Sequence, residues 1–183
     1  MEAALAMYRD RGMSAASNLA VARAADVAPA TVRNHFAERA DLARAVFEAM
    51  LENLSVPTPA IFEGANGLPD RIERLARELA QFYERSEPWW RAYDREPELI
   101  QAWSGGVEQY YAEVERLMRA ALGEELAADD ASLAVVASVI GPPTFFGLKA
   151  RGLSSDDAVK LTVELALPWL EGRRDVVAGR DLA

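Results

Sequence analysis

Apolar residues recur at every third or fourth position over most of this 183-residue chain. Such spacing places apolar side chains on one face of an α-helix. No stretch alternates apolar and polar residues as a half-buried strand does, and no internal repeat or low-complexity tract is visible. The sequence therefore predicts an all-α protein of about nine helices.

Four helices are predicted in the N-terminal third of the chain. Gly12 suits the C-terminus of the first, and Ser17 is a good N-cap for the second. Pro29 stands where a first-turn proline is tolerated, so the third follows a three-residue turn. The predicted bounds are Glu2 to Arg11, Ser17 to about Ala24, Ala28 to about Phe36, and Asp41 to Leu54.

A stretch rich in proline and glycine, residues 55–70, marks the predicted domain boundary. The predicted domains are 1–54 and 55–183. The second contains an apolar helical stripe over 68–82, an aromatic segment bounded by Pro88, and a stripe over 107–121 ended by Gly123. A further helix runs from Asp129 or Asp130 through Ile140 and is interrupted at 141–143. The last begins at Ser154 or Ser155 and runs to about Leu170.

Residue usage argues against several kinds of catalytic and metal site. The chain has no cysteine and one histidine, so a thiolate-metal site, a disulfide and a helical di-iron site are excluded. It has neither a Gly-x-Ser-x-Gly elbow nor a Gly-x-x-x-x-Gly-Lys phosphate loop. We therefore predict no catalytic residue, no metal and no cofactor. The sequence contains no run of eighteen apolar residues, so no membrane span is predicted. A cytoplasmic location is expected.

Charge is spread unevenly along the chain. The whole chain carries a formal net charge of −9. Residues 1–54 hold six arginines and seven acids, a net charge of −1, and the remaining residues carry −8. The first segment is therefore the part that repels a polyanion least.

The second and third predicted helices, joined by a tight turn, form a helix-turn-helix pattern. In such a unit the second helix of the pair lies in the DNA major groove, so its first residues must be short. Thr31 can meet a phosphate or a thymine methyl, and the three polar residues at 33–35 can donate hydrogen bonds to phosphates or bases. Val32 and Phe36 are expected in the core. The predicted DNA-contacting residues are Ser17, Ala28, Pro29, Ala30, Thr31, Arg33, Asn34, His35 and Arg39.

Residues 2–51 resemble the DNA-binding domain of the TetR-type transcriptional regulators. Five positions depart from that family's pattern: Asn18 replaces an apolar residue, Asp26 the turn glycine, Ala28 the serine that caps helix three, Arg33 the phosphate-binding tyrosine, and Arg39 the helix-four lysine. The matching positions are Gly12, Ser17, Val21, Ala22, Ala25, Val27, Pro29, Ala30, Thr31, Val32, His35, Phe36 and Leu42.

A two-fold four-helix dimer interface is expected from segments 129–150 and 154–171, which are apolar on more than one face. The resemblance also implies such a dimer. The predicted interface residues are Ala134, Val135, Ala137, Ser138, Val139, Gly141, Leu161 and Leu165.

Aromatic residues are concentrated in the second domain, where the resemblance implies a ligand-binding site. Pockets for small molecules are typically apolar and aromatic with a few polar groups. The predicted lining residues are Trp89, Tyr93, Trp103, Tyr110 and Phe145. The expected effector is a mainly apolar or aromatic small molecule.

Together these features favour a homodimeric transcriptional repressor that binds operator DNA and is released by such an effector. The alternative is an all-helical enzyme or adaptor that keeps the fold without specific DNA binding.

Overall fold

The computed structural model describes residues 1–95 and 104–180, with side chains described over 1–91 and 108–179. Within those ranges every regular element is helical, which confirms the all-α prediction. The described residues form ten α-helices, of which α7 is a single turn, and a 3-10 turn occupies Pro59–Phe62. The α-helices are α1 Glu2–Arg11, α2 Asn18–Ala24, α3 Pro29–His35, α4 Arg39–Leu54, α5 Gly67–Arg95, α6 Ser104–Leu122, α7 Glu124–Ala127, α8 Asp130–Val139, α9 Pro142–Lys149 and α10 Ser155–Arg180.

Helix α4 begins two residues earlier than predicted. Asp41 does not open it but lies in its first turn, where Oδ2 accepts a hydrogen bond from the backbone N–H of Glu38 at 3.2 Å. This contact satisfies an N–H group just before the helix. The local pattern of acids therefore fits a helix starting at Arg39 as well as one starting at Asp41.

Helix α5 continues through Pro88, so the prediction that this proline bounds a separate segment is wrong. Proline removes one backbone hydrogen bond from a helix. Two side-chain contacts of i,i+4 spacing span this position. Trp90 Nε1 donates to Ser86 Oγ at 3.0 Å, and Arg91 pairs with Glu87 at 2.6 Å. These contacts stabilise the turn that the proline weakens.

The predicted interruption at 141–143 is confirmed. Helix α8 ends at Val139, and α9 begins at Pro142. Thr144 Oγ1 donates to the Ser138 carbonyl at 2.7 Å, which satisfies one of the free carbonyl groups at the end of α8. A Cβ atom on Gly141 would clash with the carbonyl oxygen of Ala137, so glycine is required there.

The same interruption bears on the one described stretch with the length and composition of a membrane span. Residues Asp130–Lys149 have a mean hydropathy of 1.6. The break divides them into helices of 10 and 8 residues. A bilayer-spanning helix needs about 20 consecutive apolar residues, so neither piece is long enough.

Helix α10 extends to Arg180, well beyond the predicted end near Leu170. Arg173, in the added part, donates two hydrogen bonds to Asp129, the N-cap of α8, at 2.6 and 3.0 Å. Because this contact joins residues 44 positions apart, the local pattern could not reveal it. It anchors the extension of the helix to its neighbour.

The chain divides into two compact units. The first comprises Met1–Val56 and Arg85–Tyr110, and the second Pro57–Glu84 and Tyr111–Ala183. The first unit therefore includes 85–110, which the boundary at 54/55 assigns to the second domain. The sequence-based boundary itself stays a prediction.

The core of the first unit is formed by the N-terminal helices. Trp89 packs against it from the segment 85–110. Its buried members are Ala4, Tyr8, Met13, Ala16, Val21, Ala22, Val32, Leu42, Ala43, Val46, Phe47 and Met50.

In the second unit, α10 packs against α7, α8 and α9. Arg71 on α5 donates a hydrogen bond from Nε to the Ala121 carbonyl at 2.7 Å and so joins α5 to the end of α6. The buried residues of this unit include Leu68, Ile72, Leu75, Leu79, Phe82, Val114, Leu117, Ala121, Leu126, Val136, Ile140, Phe145, Ala158, Ala166 and Leu170.

Candidate nucleic-acid interface

The turn between α2 and α3 is closed by two backbone hydrogen bonds. The N–H of Val27 donates to the Ala22 carbonyl at 3.0 Å, and that of Asp26 donates to the Arg23 carbonyl at 3.3 Å. This pair of bonds is the Schellman motif, which places one residue in the left-handed conformation. Asp26 is that residue, with φ of 52°.

Both helices of the motif start within one residue of the predicted positions. The Ser17 side chain accepts a hydrogen bond from the Ala20 N–H at 3.2 Å and so caps α2. Ala28 is the N-cap of α3 and makes no side-chain cap bond, while Pro29 takes the first helical position. With φ fixed and no N–H to satisfy, proline suits that position.

Helix α3 has one buried residue, Val32, which is 6% exposed and packs into the core of the first unit. Successive helical residues are about 100° apart, so Ala30 and Asn34 lie about 160° from Val32. These two form the outermost ridge of the helix, and Thr31 and Arg33 flank it on either side. All four are exposed.

The polar side chains on this helix are free to bind a partner. Within the part of the chain that the structure describes, Thr31, Arg33 and Asn34 make no side-chain hydrogen bond or ion pair. His35 is exposed beside Phe36, with 6.4 Å between ring centroids. A short helix with unused donors on its outer face suits contact with phosphates and base edges.

Arg39, unlike the polar side chains of α3, makes a hydrogen bond within the chain. Its Nη2 donates to the Met13 carbonyl and so ties the start of α4 to the loop after α1. The remaining N–H groups of the guanidinium can still meet a phosphate. Arg39 therefore has a structural contact in addition to its predicted DNA contact.

Comparison with known families agrees with this geometry. Residues 1–46 match the family described as bacterial regulatory proteins, tetR family. The chain carries a tetR-family DNA-binding domain. No curated protein matches the chain. This protein is a DNA-binding transcriptional regulator, and the match covers the whole helix-turn-helix described above.

The predicted ligand-lining residues fall in different places. Trp89 packs against the core of the first unit, and Tyr110 in that unit lies edge-on to Trp90, with 6.3 Å between ring centroids. Phe145 belongs to the second unit, where its ring is 5.7 Å from that of Tyr83. Trp103 and the side chain of Tyr93 lie outside the described residues.

The predicted dimer residues lie on α8, α10 and the break after α8. Gly141 is buried, and its lack of a Cβ allows the chain to pass close to the Ala137 carbonyl oxygen at the break between α8 and α9. The exposed members are Ala134, Ala137, Ser138 and Leu165, and the partly buried ones are Val135, Val139 and Leu161.

The sequence analysis assigned Leu161 and Leu165 of α10 to the dimer interface, but it missed that exposed apolar residues continue along this helix to Val176. Leu165, Trp169 and Val176 are 59%, 40% and 48% exposed. At 100° per residue they lie within about 40° of one another on the helix. Their spacing is visible in the sequence, but only the longer helix and its packing show that they face outward.

Proposed function

We propose that this protein is a homodimeric repressor that acts in the cytoplasm and leaves its operator when a small apolar or aromatic molecule binds. The observation that carries the DNA-binding part is the outer face of α3, whose polar side chains have no partner in the described chain. The dimer and the effector are supported by separate observations.

Arg33 offers the cleanest test of DNA contact. It is exposed and without a described partner, so its removal should leave the fold intact. Arg33→Ala should weaken binding to all DNA sequences and reduce the slope of log affinity against log salt by roughly one unit. Fluorescence anisotropy with DNA from the protein's own promoter region measures both quantities.

Arg77→Ala is the matched control, because Arg77 is an exposed arginine of the second unit paired with Glu73. It should leave the slope unchanged. Arg39→Ala should lower the melting temperature as well as the affinity, since it also removes the Met13 contact. Equal slopes for wild type and Arg33→Ala would contradict the proposed contact.

The exposed apolar face of α10 supports the dimer. Since α10 packs against α8, the small exposed residues of α8 and the large ones of α10 belong to neighbouring helices. A second copy would cover both, and a stable interface buries on the order of 1,200–2,000 Å² in total.

Light scattering tests this assembly. The wild type should have twice the 20.0 kDa chain mass. Leu165→Glu should shift the protein toward the single-chain mass, because it places a charge in the apolar contact. Lys160→Glu, on the opposite side of α10, should leave the dimer intact. A wild type of single-chain mass at micromolar concentration would refute the proposal.

Trp89 supports the response to an effector. It is one of the predicted ligand-lining residues, and it packs against the core that carries the helix-turn-helix. A ligand that moved this side chain would act directly on the DNA-binding unit. Ligand binding can shift DNA affinity only through such a difference between two states.

A screen of aromatic and apolar compounds by thermal shift tests the effector. A binding compound should raise the melting temperature and change tryptophan fluorescence. Trp89→Phe should reduce the fluorescence change, and Trp169→Phe, which alters a tryptophan on the proposed dimer face of α10, should preserve it. A response lost only in Trp169→Phe would place the ligand elsewhere.

A further inference from the structure

The outermost ridge of α3 carries only two side chains, the methyl group of Ala30 and the carboxamide of Asn34. We propose that Asn34 reads an adenine in each operator half-site and that Ala30 lies beside a thymine methyl group. This inference rests on the proposed DNA-binding function and adds the identity of the bases.

The position of Asn34 favours base contact over phosphate contact. Asn34 lies on the side of α3 opposite Val32. When α3 lies in the major groove, this side therefore faces the base edges. Arg33 and Thr31 lie on the flanks, nearer the two walls of the groove.

The carboxamide of Asn34 has one acceptor and one donor group. Adenine offers the complement in the major groove, an N7 acceptor and an N6 donor. Guanine offers two acceptors, so the carboxamide oxygen would face the guanine O6 without a proton between them. Asn34 has no described hydrogen bond, so both of its groups are available.

Ala30 lies one turn before Asn34 on the same ridge. Four residues span about 6 Å along a helix axis, and neighbouring base pairs are about 3.4 Å apart. A methyl group at position 30 can therefore contact a base within about two steps of the adenine. Its apolar partner in the major groove is the thymine methyl.

The test begins by selecting bound sequences from a random DNA pool with the full-length wild type. The enriched half-site should contain an A·T pair whose replacement by G·C lowers affinity roughly 10- to 100-fold, as loss of a bidentate contact does. Replacing that adenine by 7-deazaadenine should lower affinity for the wild type. It should have little effect on Asn34→Ala, which lacks the partner of N7.

Two further variants test the chemistry. Asn34→Gln keeps the carboxamide and should retain part of the preference for adenine. Asn34→Arg should shift the preferred pair at that position toward guanine, which offers arginine two acceptors. Because residue 34 is exposed, all three variants should melt within a few degrees of the wild type.

The outcomes separate this inference from the proposed function. If the wild type enriches a site and Asn34→Ala enriches the same site with unchanged preferences, the adenine contact is refuted and DNA binding stands. If Asn34→Ala lowers affinity equally for all sequences, Asn34 contacts the backbone and the inference is wrong. If the wild type enriches no sequence, both fail.

Discussion

Asp26→Gly tests whether the turn of the helix-turn-helix is strained. Asp26 occupies the left-handed position of the Schellman motif, with φ of 52°. Glycine adopts this conformation without the Cβ clash that other residues suffer. The substitution should therefore stabilise the first unit.

The magnitude follows from two opposing effects. The left-handed conformation costs an L-residue roughly 1–2 kcal/mol, and aspartate is among the residues that tolerate it best. Glycine loses more backbone entropy on folding, by roughly 0.5–1 kcal/mol. The net gain should be about 0.5–1 kcal/mol, or a rise of about 1–4 °C in melting temperature.

Thermal unfolding followed by circular dichroism at one protein concentration measures the change. Asp26→Ala is the control, because it removes the carboxylate but keeps a Cβ atom in the left-handed conformation. It should be less stable than wild type. Asp26→Asn, which removes the charge and tolerates this conformation, should lie near wild type. The reasoning is refuted if Asp26→Gly is no more stable than Asp26→Ala.

Two other substitutions test contacts in the second unit. Gly141→Ala should lower the free energy of unfolding by about 3 kcal/mol, because the new Cβ would clash with a backbone oxygen. Gly147→Ala in α9 is the control: the site has room for a Cβ, so this change should be neutral or stabilising. Denaturant unfolding measures both. The hydrogen bonds from Arg173, with those of Ser132, hold the pKa of Asp129 well below its usual range. A carboxyl group whose pKa is lower in the folded than in the unfolded chain stabilises the fold at pH values above its unfolded pKa, which is about 4. Asp129→Asn should therefore lower the melting temperature at pH 7. The difference in melting temperature from wild type should shrink as the pH falls below about 4. A constant difference from pH 7 to pH 2 would contradict this assignment.

Local patterns in the sequence are sufficient to predict the helices of the DNA-binding domain. Ser17, the proline at the start of α3 and the glycine after α1 are end signals that act within a few residues, so they can be recognised without a structure. Val32 is predicted to be core because apolar residues at helical spacing face inward. The same helical spacing predicts that Thr31, Arg33 and Asn34 are exposed, since they lie on the sides of α3 away from Val32.

Contacts between residues distant in the chain decided the rest. Helix α10 extends to Arg180, and its Arg173 binds Asp129, which lies 44 positions away in the chain. The packing of Trp89 on the N-terminal core likewise joins segments that the sequence pattern assigns to different domains. Local propensity cannot report such contacts, because their free energy depends on which distant side chains the fold brings together.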